Sequence, residues 1–166
     1  MSGQLVYQYA PPLGLAGTLD DLSPYSIDSR LNGEAAPGNM LYGMGVMQGA
    51  TPGVDILVPT AAATAEEFEG IAMNQMTTQQ TMGGQVHVYP GGTVGVLRWG
   101  RAWARIPAGL AIQYEDPVFL IISGADAGKF TNVDGGAATL AIKATFTGKV
   151  GTGSVAVVDL RNQLNA

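Results

Sequence analysis

The sequence predicts an all-β fold: a β-sandwich or jelly-roll-like barrel of short strands, with an extended N-terminal arm and at most one short helix. Three observations carry that prediction. Apolar or alternating runs recur at roughly 8–12-residue intervals, the spacing of small sandwiches and barrels. The chain has 24 glycines and 9 prolines, and they cluster between those runs, where turns need them. One stretch alone carries helix signals. The expected organisation is an arm over residues 1–39 and a β-domain over 40–166.

The arm is expected because "YAPPLGLAGTLDDLSP" has apolar residues without a sustained period. A disordered tail would carry more charge; apolar residues in an irregular segment suit a chain lying on another surface. "LVYQY" and "DSRL" within it are short-element candidates. From Met40 the signals turn to β. "MLYGMGVMQ" (40–48) and "VDILVP" (54–59) are apolar runs divided by the turn cluster "GATPG". "TAAATAEEFEG" (60–70) is the helix candidate, with a Thr cap, early acids and Gly70 as a stop. "GIAMNQM" reads as a strand. "MGGQVHVYPGGTVGVLRWGRAWARIPAG" divides into three strands at Gly83-Gly84, Pro90-Gly91-Gly92 and Gly100. In "YEDPVFLIISG" the run Phe119–Ile122 suits a strand buried on both faces. "GKFTNVDGGAAT" is a loop or ribbon. The last two strands flank "GKVGTG", and "IKATFTG" alternates, with Ile142, Ala144 and Phe146 on one side and Lys143, Thr145 and Thr147 on the other.

Composition narrows function. Hydrophobic residues make up 46% and charged residues 13% of the chain, against a usual charged share of about 25%. A surface that poor in ions suits a protein covered by other subunits. Cysteine is absent, which removes disulfides, zinc–thiolate sites and thiol chemistry. The single histidine, His87, alternates with Val86 and Val88 and leaves little for imidazole catalysis. The net charge of −5 argues against nucleic acid as the main partner. It is unevenly spread: residues 1–83 hold eight acids and one base, Arg30, and residues 84–166 hold five acids and seven bases. No run approaches the roughly 18–20 apolar residues of a membrane span. The opening "MSGQLVYQYA" lacks a basic region followed by an apolar run, so no secretion signal is expected.

Candidate chemistry is sparse. "GKVGTGS" (148–154) has the glycines of a phosphate loop but the wrong order, with a strand rather than a helix after it. The acid clusters Asp20-Asp21, Glu66-Glu67-Glu69 and Glu115-Asp116 lack the spacing of a calcium loop. No catalytic residue, cofactor site or metal site is expected, and the protein reads as no enzyme. Met40, Met44 and Met47 suit core filling or an adaptable interface.

The exception is "LRWGRAWARI" (97–106), which holds both tryptophans and three of the eight Lys/Arg residues. In one flat strand Trp99, Arg101, Trp103 and Arg105 share a face. Alternating rings and cations can stack bases and bind phosphates. Trp and Arg are equally the residues favoured at protein interfaces, and three arginines without a lysine cluster make a weak phosphate footprint. Unspecified glycan or peptide binding also stays open. A glycine between alternating stretches marks a turn or bulge, so a bend at Gly100 would separate Trp99 from Trp103. Protein contact is the favoured reading.

From Phe68 to Leu160 the order "FEGIAMN", "GGQVHVYPGGTVGVLRWGRAWARI", "YEDPVFLI", "GKFT", "GSVAVVDL" resembles the structural cement, or head decoration, proteins of tailed bacteriophages. The resemblance rests on an F-x-G-I strand, a V-x-V ribbon, a G-K-F-T turn and a final G-x-x-A-x-V-x-L strand. It departs in the element Glu115, Asp116, Pro117, Val118 and Phe119, which reads E-D-P-V-F where the family has G-D-P-V-Y. It implies a non-enzymatic module on the capsid exterior, assembled in the host cytoplasm. The implied partners are the major capsid protein and the chain itself as a dimer or trimer, with neither nucleic acid nor membrane. On that basis Trp99, Arg101, Trp103 and Arg105, with Leu5, Tyr7 and Tyr9 of the arm, are candidate capsid or subunit contacts. A β-sandwich module of another virion part, recognising glycan or protein, is the alternative.

Overall fold

The computed structural model describes residues 14–36, 38–74 and 88–161. Among the described residues nine strands form: β1 (Ser26–Asn32), β2 (Gly45–Gln48), β3 (Asp55–Leu57), β4 (Phe68–Met73), β5 (Thr93–Arg105), β6 (Tyr114–Ile121), β7 (Phe130–Thr131), β8 (Thr139–Gly151) and β9 (Val155–Leu160). The order across the hydrogen-bonded sheet is β1-β3-β2-β4-β5-β9-β8-β6-β7, and β1 pairs again with β5. The first five strands therefore close a small barrel, and β5-β9-β8-β6-β7 continue as an antiparallel sheet. The all-β prediction holds, with a barrel and extra strands sharing β5.

Glycine makes that sharing possible. β5 runs unbroken through Gly100, whose φ is +124°. Residues 93–99 pair with β1 and β4, and residues 100–105 pair with β9. The expected strand end at Gly100 is thus a bend within one strand. A Cβ there would stand 2.7 Å from Cβ of Tyr25, so a larger residue would clash as well as strain the backbone.

Two cores follow from the alternation of β5. Val94 and Val96 point into the barrel with Met40, Val46, Ile56, Ala72 and Val88. Leu97, Ala102 and Ala104 point the other way, into the layer between barrel and sheet. Met47, Phe68 and Ile71 enter that layer from the barrel, and Val118, Leu120, Phe130, Phe146 and Val158 from the sheet. Phe68 and Phe130 meet edge to face, 6.5 Å between centroids. Each such fully buried side chain contributes about 1.5–3 kcal/mol.

Several local expectations change. Residues 60–70 form no α-helix. One 3-10 turn, Ala65–Glu67, is followed by β4 at Phe68. Glu67 caps it by accepting from Thr64 N at 2.8 Å, but Phe68 and Ile71 are drawn into the inter-layer core, which outweighs the weak helix propensity of so short a segment. β6 is not buried on both faces. Val118 and Leu120 are buried while Phe119 and Ile121 are only half-buried, because one face of the sheet alone meets the core. The described part of the expected 1–39 arm is built into the domain: β1 closes the barrel, and Gly17, Thr18 and Asp20 bond to β5. Residues 1–13, with Leu5, Tyr7 and Tyr9, and residues 75–87, with His87, lie outside the described residues.

Candidate functional site

The Arg/Trp ribbon does not present one face. Each of its members meets a different environment, and the reasons are local.

Arg98 alternates with Val94 and Val96, so it points into the barrel. There it meets Glu69, which also accepts from Gln48 Nε2 at 3.0 Å and Arg30 at 3.5 Å. Asp28 lies 3.2 Å from Arg30 and 3.8 Å from Arg98. The Glu69 side chain is 4% exposed and the two arginines 14% each. Glu69 reaches the interior through a bulge. Phe68 and Ile71 both face the inter-layer core, so one extra residue is accommodated between them, where the β2–β4 register shifts. Gly70 at φ +146° takes the resulting conformation, and a Cβ there would sit 2.1 Å from the Leu97 carbonyl oxygen.

Trp103 faces out of the sheet yet is buried. It packs on Val155, Val157 and Ala16. Residues 14–18 lie against it, with Gly17 N donating to Trp103 O at 2.7 Å and Trp103 N donating to Thr18 O at 2.9 Å. Gly14 sits so close that a Cβ would fall 2.0 Å from Trp103 Nε1. Arg101 is half-exposed and held by Asp159 at 3.0 Å and Asp21 at 3.3 Å. The Asp159 hydrogen bond, then its charge, raises the Arg101 pKa further above the ordinary guanidinium value.

Trp99 and Arg105 remain. Trp99 is 43% exposed. It pairs opposite Ser26, between Tyr25 and Ile27, which are also exposed, and Leu22 stands 92% exposed just before them. Trp99, Tyr25 and Ile27 thus present exposed apolar side chains where β1 meets β5. Arg105 is half-buried. Its Nε donates to the Tyr42 carbonyl at 2.7 Å, and burial lowers its pKa below the ordinary guanidinium value.

The ribbon is legible in the sequence as unusual; the exposure of Tyr25, Ile27 and Leu22 is not. The signal existed in "SIDSRLN": Asp28, Arg30 and Asn32 alternate with Ile27, Ser29 and Leu31. In this barrel the polar set faces in and the apolar set faces out, the reverse of the usual pattern.

Of the acid clusters, Asp20, Asp21, Glu67, Glu69 and Asp116 are engaged structurally. Asp20 pairs with Lys149 at 2.7 Å. Asp21 accepts from Ser23 as well as Arg101, which lowers its pKa. Asp116 accepts from Gln113 N at 2.8 Å and Asn132 Nδ2 at 2.7 Å, and its pKa is lowered in consequence. Among the described residues no group of three or more His, Cys, Asp or Glu is placed to hold a metal ion. Contact through the exposed apolar surface and Arg105 is what this arrangement can do.

Comparisons with known proteins give the family. A family described as structural cement protein (E217 gp24/Pam3 gp6) matches residues 3–161. A chain from the solved capsid of Myoviridae phage XM1 has the same fold, with a TM-score of 0.71 at 22% identity. That alignment covers 99% of this chain and 100% of the other. No curated protein matches. Matched over residues 3–161, nearly its whole length, the chain belongs to the phage structural cement protein family and is a structural protein of the phage capsid.

Proposed function

We propose that this protein binds the outer surface of the shell built by the major capsid protein and stabilises the head against internal pressure. It does so without catalysis, as a dimer or trimer at a local two-fold or three-fold junction. The single observation that carries this reading is the match to the cement family over residues 3–161. The apolar surface around Trp99 supports it, because a patch of large exposed apolar side chains marks an interaction site. Aromatic residues are among those enriched where interfaces concentrate their energy.

The physical logic is multivalent. A protein that binds only the assembled shell raises the free energy needed to disassemble it, by mass action. One molecule touching several shell subunits gains effective concentration at each further contact. Individually weak contacts suffice when every junction carries one.

Co-sedimentation of the purified protein with shells that lack it tests the reading, together with its own mass by light scattering. Saturable binding at a fixed ratio to the major capsid protein is expected, and that ratio names the junction occupied. A free monomer that leaves the shells bare refutes it. Within this assay Trp99→Ala should weaken binding by roughly thirtyfold if Trp99 is a central contact.

A further inference from the structure

Beside Arg105 the loops 38–44 and 58–60 and the turn 125–129 enclose an open cleft of about 610 Å³. Its walls are apolar where Leu41, Met44, Val58 and Pro59 line it. Its charged groups are Glu34, Lys129 and Arg105; Glu34 is hydrogen-bonded by neutral donors and Lys129 is paired with an acid. Glu34 accepts from Val58 N at 2.8 Å and from Asn39 Nδ2 at 3.0 Å. Lys129 pairs with Asp126 at 2.5 Å.

Arg105 is the exception. Its Nε is bound to the Tyr42 carbonyl, but among the described residues no carboxylate lies within 4.0 Å of its guanidinium. Every Asp and Glu of the chain is among those residues, so no acidic side chain of this chain answers it. Burial of a cation without a partner is costly, and the lowered pKa of Arg105 reflects that desolvation.

We propose that this cleft is a socket for a carboxylate side chain of a major capsid subunit, gripped by the free end of the Arg105 guanidinium. The inference rests on the shell-binding reading above. Carboxylate chemistry follows from geometry and charge. With Nε occupied, the two terminal nitrogens present a fork that matches a carboxylate bidentately. One unmatched charge beside the Glu34 carboxylate suits a monoanion and disfavours a phosphate dianion. The apolar walls suit the aliphatic stem of an acidic side chain and its neighbours. A second copy of this chain has little to insert. Among the described residues Glu66 and Glu115 alone of its acids carry no hydrogen bond or ion pair.

Shell binding by the wild type, Arg105→Gln and Arg105→Lys tests the socket, with Tm measured on each free protein. The Gln variant should bind at least about thirtyfold more weakly, as expected when a desolvated charge pair loses one partner. The Lys variant should fall between, keeping charge but losing the fork. Phenylglyoxal footprinting of the wild type provides a readout that needs no variant. Arg105 should be modified in the free protein and protected on the shell. Equal binding by Arg105→Gln, or Arg105 modified equally on the shell, overturns the socket while shell binding stands. Loss of the protein's own oligomer in Arg105→Gln reassigns the occupant to a second copy and overturns it too. So does a rise in wild-type Tm with inorganic phosphate that acetate does not give and Arg105→Gln abolishes. A wild type that fails to bind shells removes the shell-binding reading, and the socket with it.

Discussion

Replacing Glu69 is the sharpest test of how the barrel is held. Its carboxylate ties four strands together, reaching Arg30 on β1, Gln48 on β2 and Arg98 on β5 from its own place on β4. Two arginines, each with a side chain 14% exposed, depend on it and on Asp28 for compensation. In Glu69→Gln the oxygen facing Gln48 can persist, but the new amide turns a donor toward Arg98 and the negative charge is gone. Removing one partner of a buried ion pair costs roughly 3–5 kcal/mol, mostly because the other charge stays buried. Asp28 remains as a second anion, so the low end applies: about 3 kcal/mol. For a chain of this size that lowers Tm by about 6–12 °C. Urea unfolding followed by tryptophan fluorescence measures it, with the slope m unchanged if native compactness is kept. The pair Glu69→Met and Arg98→Met should be less destabilising together than the sum of the two, by about 1–3 kcal/mol. Nε of both Arg30 and Arg98 lacks a hydrogen-bond partner, so the cluster is imperfectly satisfied and an apolar replacement of the whole set need not destabilise. A Glu69→Gln loss below about 1 kcal/mol, or strictly additive methionine variants, would refute the view that this charge holds the strands together.

Three further outcomes follow from the same structure. The tryptophans should separate by exposure: in Trp103→Phe the remaining Trp99 emission should be red-shifted and readily quenched by acrylamide. In Trp99→Phe, Trp103 should be shielded. Trp103→Ala should cost about 3–5 kcal/mol and loosen residues 14–18, read as faster amide exchange at Gly17. Asp116 has a folded pKa held below its ordinary 3.8 by the hydrogen bonds from Gln113 and Asn132. A depressed carboxylate adds stability above the unfolded pKa and loses it as pH falls through the folded one. Asp116→Asn should therefore show a shallower fall in Tm than wild type between about pH 5 and pH 2. Identical acid limbs would show that these hydrogen bonds are not linked to folding.

The sequence by itself determined the all-β class, most strand positions and the family. Those depend on local matters: period-two alternation, glycine turns and short ordered motifs such as "FEGI" and "GKFT". It marked residues 97–106 as the place to look. What covers each side chain was decided by contacts far apart along the chain. Period two says which residues share a face, but it cannot say that residues 14–18 fold back over Trp103, or that Arg98 turns inward to a carboxylate 29 residues away. The bend at Gly100 splits one strand between two layers, so four alternating residues that look equivalent reach separate environments. Arg105 is left without a carboxylate, whereas Asp21 and Asp159 engage Arg101 and Glu69 engages Arg98 and Arg30. Which charges remain unpaired follows from where every strand ends up, and only the closed barrel and its attached sheet determine that.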